Sequence, residues 1–169
     1  TINGEFIPPS GLNMSGCIGF SGVDTANGTV IKWGAPTGAN KAVIRCSRKA
    51  IGITPTETEV DQVNGVVIKG IKIDALNCDF GFYARNFTSE SHVDVFVFRA
   101  KKCGIWVGQS WFSTFGRLIA TFNYDKGVVI GVPLAGETGD TDVNAIEFPY
   151  IRAHSNGRDL TYNQTTNIK

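Results

Sequence analysis

The chain has 169 residues, of which 42% are hydrophobic, and its 16 Lys and Arg against 15 Asp and Glu leave a formal net charge of +1. That length suffices for one domain with a sizeable core, and that hydrophobic share excludes a disordered chain. The interspersed charges give no basic field for nucleic acid or a membrane surface, and no apolar run approaches the ~18 residues of a membrane span.

In chain order the strand candidates are short and evenly spread: "TVIKW" 29–33, "KAVIRC" 41–46, "GVVIKGIKIDA" 65–75, "FGFYA" 80–84 and "HVDVFVFRA" 92–100. They continue with "GIWVG" 104–108, "GRLIATF" 116–122, "GVVIGV" 127–132 and "NAIEF" 144–148. Gly, Asn, Asp, Ser and Lys fill the intervals, the residues of tight turns. No long stretch carries the 3.6-residue period of a helix. The chain starts at Thr1 with no initiator methionine or visible signal peptide, the start expected of a processed chain or an excised piece.

Evenly spaced short strands suit a sandwich or barrel too, but an internal repeat argues against both. Gly81, Gly104 and Gly127 each follow a polar turn and lie 23 residues apart. One and three residues beyond them stand Phe82 and Ala84, Ile105 and Val107, and Val128 and Ile130, pairs that alternation sends to one face. Tyr83, Trp106 and Val129 lie between and point to the other face. A unit of this length recurring in register is the mark of a solenoid, and with two or three strands per unit the expected fold is all-β, a parallel β-helix. The glycine is then expected to be the turn residue of each circuit. Residues 1–169 form one domain or segment, with rungs clearest over 65–132 and a polar loop inserted at 135–143. "IKIDA" 71–75 matches "FVFRA" 96–100 at an offset of 25, which stacks Cys78 on Cys103. A further rung is expected over 144–162, with Gly157 in the glycine's role.

The opening "TINGEF…GLNMSGCIGFSGVD…NGTVIKW" resembles the first coils of pectate-lyase-like right-handed β-helix proteins, with Gly4, Phe6, Gly19, Gly22, Thr29 and Ile31 at the positions of that pattern. "GVVIKGIKIDA" and "CGIWV" are similar to that family's strands, and the likeness covers most of residues 1–132. Within it, the mix of Asn, Gly and outward aromatics looks most like bacteriophage tailspikes. The resemblance implies a right-handed single-stranded parallel β-helix, and a virion-tail, extracellular homotrimer that binds and hydrolyses bacterial surface polysaccharide, either capsule or O-antigen. It also implies further segments of the same parent chain, since both ends of this one read as uncapped, "LTYNQTTNIK" 160–169 included. A non-catalytic adhesive β-helix of a tail appendage and a secreted polysaccharide lyase or epimerase are the alternatives.

Nucleotide-binding glycine motifs, a nucleophile elbow and HExxH are all missing, and no cofactor is expected. The four cysteines, Cys17, Cys46, Cys78 and Cys103, form no CxxC pair, and His92 and His154 are far apart, so no metal site is expected. Buried free thiols are the plainer reading of the cysteines. Glycoside hydrolysis needs two carboxyl groups at a set separation, one acid and one base or nucleophile. Glu90, Asp94 and Glu147 are the candidate catalytic set, with His92 between the first two and Asp94 beneath Arg117 at the 23-residue offset. Asp74, Glu137, Asp140 and Asp142 are further carboxylates, the last three a loose calcium-type cluster. A stacked surface ion pair is the competing explanation for any one of them. Tyr83, Arg85, Trp106, Gln109 and Trp111 are the candidate carbohydrate-binding residues: rings for sugar C–H faces, with an amide and a guanidinium for hydroxyl or carboxylate groups. Cover by a neighbouring subunit or an adjacent loop would explain the same rings.

Overall fold

The computed structural model describes residues 1–16, 28–34, 36–56, 58–138 and 143–157. The described residues form thirteen strands: β1 (Asn13–Ser15), β2 (Val30–Lys32), β3 (Ala42–Cys46), β4 (Val63–Asn64), β5 (Val67–Asp74), β6 (Phe80–Ala84), β7 (Phe87–Thr88), β8 (Ser91–Phe98), β9 (Cys103–Val107), β10 (Ser110–Thr121), β11 (Lys126–Ile130), β12 (Val143–Glu147) and β13 (Tyr150–His154). Glu59–Asp61 makes one 3-10 turn, and no α-helix occurs among the described residues. β-Branched and aromatic side chains crowd these short runs, as strands require. All eleven strand pairings are parallel. One sheet runs β1-β5-β8-β10-β7-β4, with β2 also on β5 and with β12 and β13 also on β10; the other runs β11-β9-β6-β3.

The 23-residue interval is a register. Phe80 stands opposite Cys103, and Cys103 opposite Lys126. Phe82, Ala84, Ile105 and Val107 enter the main core, and Val128 and Ile130 pack against it. Ile68, Ile71, Ile73, Val93, Val95, Val97 and Leu118 of the large sheet meet them there. Each large side chain so buried contributes about 1.5–3 kcal/mol. Tyr83 and Trp106 lie on the opposite face, in a second cluster with Ala42, Ile51, Phe80 and Cys103.

The spaced glycines work differently from a turn residue. Gly81, Gly104 and Gly127 lie inside β6, β9 and β11, and none has a positive φ. What they supply is room: a Cβ on Gly81 would overlap Val97 Cγ1, and one on Gly104 would stand 2.6 Å from Asn123 Nδ2. Asn123 needs that space. Its Oδ1 accepts the Ala100 N–H at 2.9 Å, and its Nδ2 donates to Asn156 Oδ1 at 2.9 Å. Gly157 is the turn residue instead, with φ 75, and it follows Asn156 without taking the place of the other three.

The 25-residue offset also needs correction. It holds at Val67 opposite His92, but beyond a register shift Ile71 stands opposite Val95 and Ile73 opposite Val97. Cys103 accordingly faces Phe80 and not Cys78. A shift of one residue exchanges the two faces of a strand. Val95 and Val97 therefore enter the core, while Phe96 and Phe98 pack together outside it, ring centroids 5.8 Å apart.

Candidate functional site

The same alternation that buries Val93 and Val95 turns His92 and Asp94 outward on β8. Two rows cross the large sheet here. Val67, His92, Thr114 and Glu147 stand side by side on β5, β8, β10 and β12. Asp94, Arg117 and Tyr150 form the next row. Between the rows β10 carries an irregularity over Thr114–Arg117, and Gly116 sits in it. A Cβ on Gly116 would stand 2.5 Å from Asp94 Oδ1 and 3.0 Å from His92 Nε2. With none there, Asp94 folds over the backbone: its Oδ1 accepts the Arg117 N–H at 2.7 Å and lies 3.4 Å from His92 Nε2. Asp94 thus lies beneath Arg117 as the offset requires, but the bond runs through the main-chain amide.

Glu147 is exposed on the same face, since Ile146 and Phe148 on either side of it pack against the core. One strand separates it from His92, so their backbones are about 9.6 Å apart, two strand spacings. Glu90 occupies the turn into β8 at φ 58, its side chain exposed and its N–H donating to Phe112 O at 2.7 Å. Phe112, 65% exposed, is the most open aromatic ring among the described residues, and Trp111 beside it is half-buried. The face thus collects an Asp–His pair, two more carboxylates, an exposed Arg117 and the exposed ring of Tyr150.

Most of the expected carbohydrate-binding set is elsewhere and covered. Tyr83 and Trp106 are neighbours in register, as the repeat requires, but Tyr83, Arg85, Trp106 and Gln109 are all buried and offer a sugar no surface. The chain's own loops cover them. Leu134 and Ile51 pack on the rings, and Trp106 Nε1 donates to Val132 O at 3.0 Å. Phe80 meets both rings edge-on, at 6.0 and 5.9 Å. The cover is fastened by Glu137: its carboxylate pairs with Arg85 Nη1, accepts the Tyr83 hydroxyl at 2.6 Å and takes the main-chain N–H groups of Gly52 and Leu134 at 3.2 and 2.9 Å. Burial comes first, and the Glu137 bond next, in pushing the Tyr83 hydroxyl well above the usual tyrosine range.

The remaining carboxylates are engaged too. Arg99 and Lys32 hold Asp74, and Thr56 and Lys49 hold Asp61. Glu137 is lost to any calcium cluster in 136–142, and Asp140 and Asp142 lie outside the described residues. Among the described residues no three His, Cys, Asp or Glu side chains converge. Cys46, Cys78 and Cys103 are buried free thiols, and desolvation pushes the last two up to about 12; Cys17 lies outside the described residues. Gly116 and Tyr150 were not singled out by the sequence reasoning. The one signal for Gly116 was a glycine interrupting an otherwise continuous strand pattern, which marks a bulge or a close approach. Compared with protein-family models, with curated proteins and with solved structures, the chain matches none of them.

Proposed function

We propose that the chain is a segment of right-handed parallel β-helix, of the pectate-lyase-like kind found in phage tailspikes, that holds bacterial surface polysaccharide on the outer face of β8, β10, β12 and β13 and hydrolyses it. Parallel pairing throughout, with successive strands stacked at intervals of 23 residues, supports the solenoid. The observation that carries the site is the Asp94–His92 pair seated on Gly116, in the rows that also hold Arg117, Glu147 and Tyr150. In this reading Asp94, fixed by the Arg117 amide and His92, aligns and deprotonates the attacking water. Glu147, one strand across, gives its proton to the leaving oxygen. Glu90 and Arg117 border this face and bond sugar hydroxyls, and Tyr150 lends a flat face to a ring. Homotrimeric assembly, further segments of the parent chain and an extracellular place on a virion tail belong to the same reading.

A second reading is favoured by one fact. Asp94 Oδ1 already serves the Arg117 N–H, as a purely structural surface carboxylate would. The chain would then bind glycan without cutting it. Incubation with a panel of capsular and O-antigen polysaccharides, followed by sizing of the products, separates the two. Discrete oligosaccharides that vanish with Asp94→Asn and with Glu147→Gln uphold hydrolysis. Unsaturated ends would mean a lyase, intact polymer with measurable binding an adhesive module, and neither binding nor cleavage would refute both readings.

A further inference from the structure

Glu137 reaches into a site built for a carboxylate. Arg85 and Tyr83 are each 1% exposed, and they present a guanidinium and a hydroxyl to one pair of carboxylate oxygens, with the Gly52 N–H completing the cradle. The fit is incomplete. Glu137 Oε2 forms an ion pair with Arg85 Nη1 and Nη2 donates to Thr138 O, but neither Nη1 nor the buried Nε makes a hydrogen bond of good geometry. A guanidinium binds a carboxylate best through two parallel bonds, and a side chain tethered in a tight turn does not supply the second one here. The tether is the segment 132–138. Its bond at Trp106 Nε1 and a Thr138 N–H to Thr54 Oγ1 bond of 2.7 Å fasten it to the face below, and Gly136 turns it at φ 93. Directly beneath lie the stacked Tyr83 and Trp106.

We propose that Arg85, Tyr83 and the Gly52 amide form a binding site for the carboxylate of an acidic sugar, held closed by Glu137 as an internal stand-in, with Tyr83 and Trp106 as the ring platform. This deepens the polysaccharide reading and rests on it for the choice of a sugar. Exchange of one carboxylate for another is what makes opening feasible, because Arg85 is never left buried and unpaired. A ligand carboxylate free to lie flat on the guanidinium satisfies Nε as well. Segment 132–138 swings out as it binds.

The test uses sodium glucuronate, sodium acetate and neutral glucose as probes. Glu137→Ala empties the cradle and should lower the melting temperature by about 10 °C, as loss of one partner of a buried pair does in a chain of this size. Glucuronate should restore much of that loss, glucose none of it, and the double variant Arg85→Gln, Glu137→Ala should not respond. Restoration by acetate as well assigns the site to carboxylates in general; restoration by glucuronate alone assigns it to the sugar acid. On the wild-type chain a glucuronate-containing oligosaccharide should speed amide exchange over 132–138 at least threefold, a readout that stands even where Glu137→Ala does not fold. Equal effects of glucose and glucuronate overturn the site, as does an unchanged exchange rate in the wild type. These probes need no polymer cleavage, so failure of the hydrolysis reading leaves them intact.

Discussion

Two glycines with nearly the same crowding should respond to alanine to different degrees, because different atoms crowd them. A Cβ at Gly104 would stand 2.9 Å from Gly127 O, a main-chain atom fixed by the neighbouring strand, and 2.6 Å from the Asn123 amide. Neither moves without breaking ladder or Asn123 bonds, so Gly104→Ala should cost about 1–3 kcal/mol, the usual toll of overpacking. At Gly116 the nearest atom is Asp94 Oδ1, the free end of a half-exposed side chain that can swing aside. Gly116→Ala should therefore cost under about 1 kcal/mol while expelling Asp94 from the Arg117 amide. Thermal unfolding measures the first difference, and polysaccharide binding or cleavage the second. A Gly116→Ala chain as active as the wild type would remove Asp94 from the mechanism. A Gly104→Ala chain as stable as the wild type would mean that the small sheet yields more than its bonding allows.

Strand existence and facing were legible from period-two alternation, and even the stacking of Asp94 under Arg117 could be counted off. Register past an irregularity was not. β5 gains a residue between Val67 and Ile71 relative to β8, so the offset of 25 that matched Ile71 and Ile73 to the rings of Phe96 and Phe98 slips to 24 there. The rings are buried after all, yet on the outer face, where Lys72 lies 6.0 Å from the Phe96 ring centroid. Cover of Tyr83 and Trp106 by an adjacent loop was one of the alternatives, but the residue that fastens it was not legible. That residue is Glu137, a loop residue whose partners Arg85 and Gly52 are distant in sequence, and no local pattern announces such a bond. The loop before β4 shows the same kind of fastening and exposes it to a pH test. The Thr56 hydroxyl at 2.6 Å, and then the Thr56 N–H at 2.8 Å, hold the Asp61 carboxyl below the usual carboxylate range. The folded value lies below the unfolded one, so this contribution is complete above about pH 4 and fades as the pH falls through the folded value. Asp61→Asn should thus be less stable than the wild type near pH 6, with the gap narrowing as the pH falls below about 4. Denaturant unfolding across that range reads it out, and a gap independent of pH would count against the Thr56 bonds as its source.

Because backbone pairing ties each strand only to its neighbours in its own sheet, an edge strand can open before an interior one, and the buried thiols can report the order. Cys46 lies on β3, the edge of the small sheet, whose outer side is met, among the described residues, by an isolated bridge between Phe6 and Ile44 and by Glu5 on the Ala42 N–H and Arg45. Cys103 lies on β9, paired on both sides by β6 and β11. Both thiols are fully buried, and burial pushes both well above the usual thiol range, so neither reacts without an opening event. Once exposed they are chemically alike, and the labelling rate of each then measures the free energy of its own opening. Freeing Cys46 requires the loss of one ladder, one bridge and the Glu5 contacts, whereas freeing Cys103 requires the loss of two ladders. In mild denaturant, below the unfolding midpoint, Cys46 should label at least several-fold faster than Cys103, with the site of modification identified by peptide mass. Approach to the midpoint should bring the two rates together as global unfolding takes over. Equal rates at every denaturant concentration would instead make the two sheets one cooperative unit. Edge and interior would then open together, and tight packing between the sheets, not the pairing of neighbouring strands, would set the stability of the whole.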